Sequence, residues 1–99
     1  SLGDAIDHSR DPELLNDLGA ALSTRYSVTH STDDLRNAVR ALDRAWTMSP
    51  SAETAWNRAV TAELAEPSRA ARLWADYVAL DSTSRWGREA MLRMRRVGS

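Results

Sequence analysis

Apolar side chains recur at steps of three and four residues along most of the chain, which is the spacing of one face of an α-helix. The clearest series lies early in the chain and consists of Leu14, Leu15, Leu18, Leu22 and Tyr26. Comparable series cover residues 35–46, 52–64, 70–80 and 86–97. Because no segment alternates between apolar and polar residues for long, we expect no β-strand. The pattern predicts an all-α chain of five helices.

Prolines and capping residues mark the ends of these helices. Asp11-Pro12-Glu13, Ser49-Pro50-Ser51 and Glu66-Pro67-Ser68 each place a proline between two apolar series. A proline disfavours a helical residue before it and fits the first turn of a new helix. The polar residues 27–32 predict a loop, and residues 81–84 predict a further break. Short connections favour antiparallel hairpins between sequential helices.

Two parts of the chain share one spacing of small and large residues. Ala38-x-x-x-Leu42-x-x-Ala45 is followed five residues later by Pro50, and Ala70-x-x-x-Trp74-x-x-Tyr77 is followed five residues later by Ser82. The helices before them also correspond, as Leu15-x-x-Leu18-Gly19-x-x-Leu22 and Trp56-x-x-Ala59-Val60-x-x-Glu63. Small residues at such positions let antiparallel helices approach closely, and large residues fill the space between successive hairpins.

These motifs resemble the tetratricopeptide repeat (TPR), a helical hairpin of about 34 residues. The resemblance implies antiparallel hairpins stacked as a right-handed solenoid. The first hairpin would cover residues 12–50 with a long loop at 27–32, the second residues 51–81, and a capping helix and tail residues 82–99. Residues 1–11 would be the remnant of a preceding helix or a linker. Because solenoid repeats are stable only when stacked, we expect the chain to be a piece of a longer protein.

The chain departs from the repeat pattern in its period and at single positions. Leu15 and Trp56 lie 41 residues apart, whereas the usual period is about 34 residues. Glu63 stands where an aromatic residue is usual, Tyr77 where a small residue is usual, and Ser82 replaces proline. An unrelated bundle of five helices is the alternative fold.

A finer likeness is to the TPR arrays of bacterial CHAT-domain proteins. It lies in the segments Leu14-Leu15-Asn16-Asp17-Leu18, Trp56-Asn57-Arg58-Ala59 and Trp74-Ala75-Asp76-Tyr77-Val78-Ala79-Leu80-Asp81. In those proteins the repeats precede a caspase-like peptidase domain. The likeness implies the regulatory portion of a larger bacterial peptidase or signalling enzyme, whose active site would lie outside this chain.

Charge and hydropathy narrow the classes of partner. The chain has 13 basic residues, all of them arginine, and 14 acidic residues, which gives a net charge of −1. Such a balance argues against general nucleic-acid binding. No apolar run is long enough to span a bilayer, and no stretch has the pattern of a signal peptide. We therefore expect a cytoplasmic protein with no membrane partner, and we do not expect nucleic acid as its partner.

No arrangement of residues predicts a catalytic, cofactor or metal site. The chain has no cysteine, and His8 and His30 are each isolated in the sequence. It has neither the His-Glu-x-x-His motif of zinc peptidases nor a glycine-rich phosphate loop. Asp33 and Asp34 stand where the start of a helix favours negative charge. We expect a non-catalytic protein that needs no cofactor.

The resemblance implies a binding surface, because the first helix of each TPR hairpin lines a concave groove that holds a peptide, a partner protein or an adjacent domain. The residues implied there are Asn16, Ala20, Thr54, Asn57, Arg58 and Thr61. Asparagine amides offer both a donor and an acceptor to a peptide backbone, and an arginine can hold a carboxylate with two parallel hydrogen bonds. The alternative is that Asn16 and Asn57 only cap helices or face water.

Two other features have more than one interpretation. Trp56 and Trp74 occupy large-residue positions of the repeat and are expected in the core. Trp46 is expected to pack between helices and Trp86 to pack under Trp74 or Tyr77, and the alternative is that Trp46 or Trp86 contacts a partner. The cluster Arg93-Met94-Arg95-Arg96 complements the C-terminal dipole of the last helix, or it contacts an acidic partner or nucleic acid. Steep salt dependence of binding would mark the nucleic-acid contact.

Overall fold

The computed structural model describes residues 1–98, which fall into two units, one over Ser1–Pro50 and one that begins at Ser51. Within these residues the chain forms six α-helices joined by short connections. The helices are α1 (Leu2–His8), α2 (Pro12–Thr29), α3 (Thr32–Met48), α4 (Ala52–Ala65), α5 (Pro67–Leu80) and α6 (Arg85–Val97). The predicted all-α class is confirmed, and the helices pack mostly against their neighbours in sequence.

The backbone N–H groups in the first turn of a helix have no partner inside the helix, and polar side chains accept hydrogen bonds from them here. Five side chains each accept a hydrogen bond from an N–H three residues further on, namely those of Ser1, Asp11, Ser31, Ser51 and Ser84. Helix α5 has no side-chain cap and begins with Pro67. A proline suits this position because it has no N–H that would need a partner.

Residues 1–11 contain the short helix α1, which is not among the five helices that the periodicity predicts. Helix α1 has a capping box between Ser1 and Asp4, and it packs against α3. Ile6 lies in the core of the first unit with Leu15 and Ala41. Residues 1–11, expected to be the remnant of a preceding helix or a linker, thus contain a short helix that contributes a residue to the core. Its seven residues make two turns, too few for a repeating apolar pattern.

The predicted loop over residues 27–32 is wrong for its first half, because α2 continues to Thr29. The hydroxyl groups that indicate a loop in the sequence can also bond to the helix itself, and Thr29 Oγ1 donates to the Arg25 carbonyl at 3.1 Å. The helix ends at His30, which has a left-handed backbone conformation with φ of 55°. Such a residue is a common way to terminate a helix.

In the first unit, α2 and α3 form a closely packed hairpin. A Cβ built on Gly19 would lie 2.4 Å from Leu42 Cγ, well inside van der Waals contact. Leu42 is fully buried, as are Ala38 and Ala45 on the same helix. The close approach that the small residues of the motif predict is therefore present at Gly19.

In the second unit, α5 packs against both α4 and α6. The buried residues of this unit are mainly alanines and aromatic residues, and include Ala55, Ala59, Ala62, Ala70, Leu73, Trp74, Tyr77 and Ala90. The prediction that Trp74 lies in the core is confirmed, because it is fully buried. Large aromatic side chains fill the space that the alanines leave, and they form one wall of the candidate site.

Candidate functional site in the second unit

Most of the residues predicted to line an open groove are enclosed by protein. Asn16, Thr54, Arg58 and Thr61 are buried, and Ala20 is partly buried. Asn16, Thr54, Arg58 and Thr61 therefore offer little surface to a partner in this structure. Two of these side chains have partners within the second unit: Thr54 hydrogen-bonds the N-cap residue Ser51, and the Arg58 guanidinium lies 3.5 Å from the Asp76 carboxylate on α5. A role of these residues in peptide binding stays a prediction. Asn57 is partly buried and lines the cleft described below.

The site is built around Trp56 on α4, whose ring contacts three other aromatic rings. The ring centroids lie 4.8 Å from Trp74, 5.2 Å from Tyr77 and 5.4 Å from Trp86. All three pairs are edge to face, with interplanar angles of 76–80°. This geometry sets the positive edge of one ring against the negative face of another and stabilises the pair by about 0.5–1.5 kcal/mol beyond simple burial. The rings thereby join α4, α5 and α6.

Arg93 of α6 lies against the same rings. Its guanidinium carbon is 5.4 Å from the Trp56 centroid and 5.3 Å from the Trp74 centroid, within the range of a cation–π interaction. Its Nε also lies 3.2 Å from Glu89 Oε1, one helical turn earlier. The Arg93 charge is thus directed towards the rings and Glu89.

The buried indole of Trp74 has its hydrogen-bond partner in Glu63. Trp74 Nε1 donates to Glu63 Oε2 at 2.7 Å, and the other carboxylate oxygen of Glu63 lies 3.6 Å from Arg96. A buried indole N–H needs such an acceptor. Glu63 thus serves both as the acceptor of the buried indole N–H and as the partner of Arg96.

Trp86 is positioned by the connection between α5 and α6. Asp81 accepts hydrogen bonds from the Tyr77 hydroxyl at 2.8 Å, from the Ser84 N–H at 3.1 Å and from the Ser84 hydroxyl. Ser84 in turn caps α6 through the N–H of Gly87. A Cβ on Gly87 would lie 2.4 Å from the Asp81 carbonyl oxygen, so only glycine allows this approach of the helix to the connection.

The same hydrogen bonds shift two pKa values. Those from Ser84 and Tyr77 stabilise the charged carboxylate and lower the pKa of Asp81 to about 2. Burial, together with the adjacent Asp81 carboxylate, raises the pKa of the Tyr77 hydroxyl. Tyr77 therefore stays a donor and Asp81 an acceptor at neutral pH, and the connection keeps its hydrogen bonds.

Two clefts of the second unit meet at Trp86. The first, here called the aromatic cleft, has a volume of about 370 Å³ and is lined by Ala52, Glu53, Trp56, Asn57, Tyr77 and Trp86. The second, the arginine cleft, has a volume of about 460 Å³ and is lined by Arg85, Trp86, Arg88, Glu89, Leu92 and Arg93. Trp86 remains 52% exposed, and the Arg85 guanidinium covers its ring at 4.8 Å.

The aromatic cleft offers a surface for an apolar side chain, with an amide and a carboxylate at its edge. Sequence reasoning identified Asn57 and considered Trp86, but it placed Trp56 wholly in the core. The sequence feature that indicates an accessible Trp86 is its position in the first turn of an arginine-rich helix, directly after a polar connection. That Trp56 remains accessible depends on side-chain packing that the repeat motif does not specify.

Residues 1–98 hold neither a metal cluster nor a membrane-spanning helix. Residues 1–98 contain no group of three or more His, Asp or Glu side chains close enough together to hold a metal ion. In the part of the chain that the structure describes, no helix has both the length and the apolar character needed to cross a membrane. Comparison of the chain with protein-family models, with curated proteins and with solved structures gave no significant match.

Proposed function

We propose that this chain is a non-catalytic protein-interaction module that binds a partner through the aromatic cleft. The observation that carries the proposal is the exposure of Trp86. A tryptophan that leaves half of its surface in water, beside two further aromatic rings, offers a large and rigid contact area. Tryptophan is among the residues that most often dominate the binding energy of protein interfaces.

The composition of the cleft favours a peptide segment with an apolar anchor. Trp56, Tyr77 and Trp86 supply apolar surface for one side chain. Asn57 carries a donor and an acceptor at the edge of the same cleft, which suits the backbone of an extended or helical peptide. The ordered connection through Asp81 holds Trp86 in place before binding, and this reduces the entropy lost when the partner docks.

The packing within each unit supports a TPR-like architecture for this module. Each unit contains a helical hairpin, and the motif residues Gly19, Leu42 and Trp74 lie at the helix contacts. In this proposal the hairpins stack as a right-handed solenoid, with α6 as its capping helix. The segments that resemble the TPR arrays of bacterial CHAT-domain proteins support a second proposal, that the chain is a regulatory part of a larger caspase-like peptidase. A catalytic His and Cys encoded beside this segment in the gene would test it.

Selection from a phage-displayed library of random peptides, followed by affinity measurements on the enriched peptides, tests the interaction proposal. We expect peptides with an aromatic or leucine anchor, and we expect Trp86→Ala to weaken their binding at least about tenfold. Leu14→Ala, which removes another exposed apolar side chain on α2, is the matched control and should leave the affinity unchanged. Circular dichroism establishes that both variants fold. Equal binding of the enriched peptides to wild type and Trp86→Ala would refute the proposal.

A further inference from the structure

The arginine cleft indicates the chemistry of the partner. We infer that the bound segment is an acidic amphipathic peptide, in which carboxylates flank an aromatic or leucine anchor. The anchor would contact Trp86, and the carboxylates would pair with Arg85 and Arg88. This inference rests on the proposed function, since it assigns a class of partner to the same tryptophan.

Charge is the first argument. Helix α6 carries five arginines and a single acidic residue, Glu89. Arg93 already pairs with Glu89, so the acidic residue in the arginine cleft is compensated within the helix. Arg96 likewise lies 3.6 Å from the Glu63 carboxylate, so the positive surface of α6 at the arginine cleft comes from Arg85 and Arg88, on a chain whose net charge is −1. A concentrated positive surface of this kind attracts an acidic partner and orients it.

The second argument is that two arginines of this cleft can still donate hydrogen bonds to carboxylates of a partner. Arg88 donates one hydrogen bond, to the Thr83 carbonyl at 2.8 Å, and Arg85 stacks on Trp86. Among residues 1–98, neither has a carboxylate within ion-pair distance. A guanidinium has five N–H donors in a geometry that matches a carboxylate. Arg85 and Arg88 can therefore receive carboxylates without breaking an internal ion pair.

The third argument is the apolar surface between the charges. Leu92 is 60% exposed and lines the arginine cleft together with Trp86. Trp86 also lines the aromatic cleft. Arg85, Arg88 and Leu92 follow one another at steps of three and four and so share one face of α6. A partner that matches this face needs both apolar and acidic side chains. A nucleic acid backbone offers no apolar side chain to Leu92, which makes it the poorer match.

The inference can be tested with three peptides of equal length that differ only around a central leucine anchor. One has glutamates on both sides of the anchor, one has glutamines and one has lysines. Fluorescence anisotropy measures their affinities at low and at physiological ionic strength. We expect the glutamate peptide to bind at least about tenfold more tightly than the glutamine peptide at low ionic strength, and we expect this difference to shrink as salt is added.

Variants assign the effect to the cleft. Arg85→Gln/Arg88→Gln should abolish the preference for glutamate over glutamine while the glutamine peptide still binds. Arg36→Gln/Arg72→Gln removes the same charge from exposed positions outside both clefts and should keep the preference. Equal affinity of the glutamate and glutamine peptides for the wild type would overturn the inference, as would a preference that survives in Arg85→Gln/Arg88→Gln.

Two competing occupants have distinct signatures. A single-stranded oligonucleotide that displaces the glutamate peptide at lower concentration than the unlabelled peptide itself would identify nucleic acid as the partner and overturn the inference. Self-association in analytical ultracentrifugation that is lost in Arg85→Gln/Arg88→Gln would identify a second copy of the chain as the partner. This result would also overturn the inference. If Trp86→Ala leaves peptide binding unchanged, the proposed function fails. If binding needs Trp86 but ignores peptide charge, only the present inference fails.

Discussion

Gly19 of α2 lies directly against Leu42 of α3, so closely that the glycine has no room for a Cβ. Gly19→Ala would place its methyl carbon 2.4 Å from Leu42 Cγ, and the fully buried Leu42 cannot swing aside. We expect a loss of about 1–3 kcal/mol in the free energy of unfolding, despite the better helix propensity of alanine. Urea denaturation measures the change.

Gly3→Ala is the matched control for this substitution. Its Cβ would also come close to a side chain, at 2.7 Å, but the neighbouring atom is the Arg40 Nη1 at the end of a flexible, exposed side chain. We expect little change or a slight gain in stability. Leu42→Ala combined with Gly19→Ala should cost less than the sum of the two single changes, because the smaller side chain relieves the overlap. Additive costs would contradict this account of the hairpin.

The hydrogen bond from Trp74 to Glu63 gives a second prediction. Glu63→Ala leaves a buried indole N–H without its acceptor and should lower the free energy of unfolding by about 1–3 kcal/mol. Glu63→Gln keeps an acceptor oxygen and should cost clearly less. Arg96→Ala removes only the exposed partner of Glu63 and should cost at most about 1 kcal/mol. Equal losses for Glu63→Ala and Glu63→Gln, measured by thermal denaturation, would show that charge and not the indole contact matters.

Trp74 itself gives a third prediction. Its side chain is fully buried, so Trp74→Ala removes core volume as well as the contacts with Trp56 and Arg93. We expect a loss of about 3–5 kcal/mol in the free energy of unfolding. An unchanged melting temperature would contradict the place of Trp74 in the core.

Asp81 makes the second unit sensitive to acid. Its pKa in the folded chain is about 2, below the ordinary value of 3.8. The carboxylate therefore stabilises the fold above about pH 4, and this contribution is lost as the pH falls towards 2. We expect the stability difference between wild type and Asp81→Asn to be constant near neutrality and to shrink over that range. Asp17→Asn, at an exposed position on α2, controls for the loss of one negative charge. A difference that persists unchanged at pH 2 would contradict the assignment.

His30 gives a fifth prediction. Its left-handed backbone is strained for a residue with a Cβ and free of strain for glycine. We expect His30→Gly to raise the free energy of unfolding by about 1 kcal/mol, offset in part by the lost ring contact with Tyr26. His30→Ala loses the same ring contact without relieving the strain and should be less stable than His30→Gly. The urea denaturation midpoints of the two variants provide the comparison.

Periodicity and capping predict most of the helices because both act over a few residues. The boundaries at Pro12, Ser51 and Pro67 follow from local chemistry alone. Helix α1 is too short for its pattern to repeat, and its stability depends on Ile6 reaching a core made by other helices. The hydroxyl-rich end of α2 is ambiguous, since the same side chains can cap a loop or bond to the turn before them.

The candidate site depends more strongly on tertiary contacts. The resemblance implies both Asn57 and Arg58 in a groove, but it does not specify that Arg58 lies against Asp76 and is buried whereas Asn57 is only partly buried. It also does not specify which of several tryptophans stays accessible. The accessibility of Trp86 depends on Gly87 and Asp81, which fix the start of α6. Gly87 lies close to the Asp81 carbonyl oxygen, and this distance between two backbone segments cannot be read from a sequence pattern.

The edge-to-face rings around Trp56 also give the second unit an intrinsic spectroscopic label. Of the four tryptophans of the chain, Trp56, Trp74 and Trp86 lie in this cluster, and Trp46 lies in the first unit. Rings held at fixed mutual angles in an asymmetric environment give a near-ultraviolet circular dichroism signal that disappears when specific packing is lost. Occupation of the cleft beside Trp86, and separate melting of the second unit, can therefore be followed without attaching any dye.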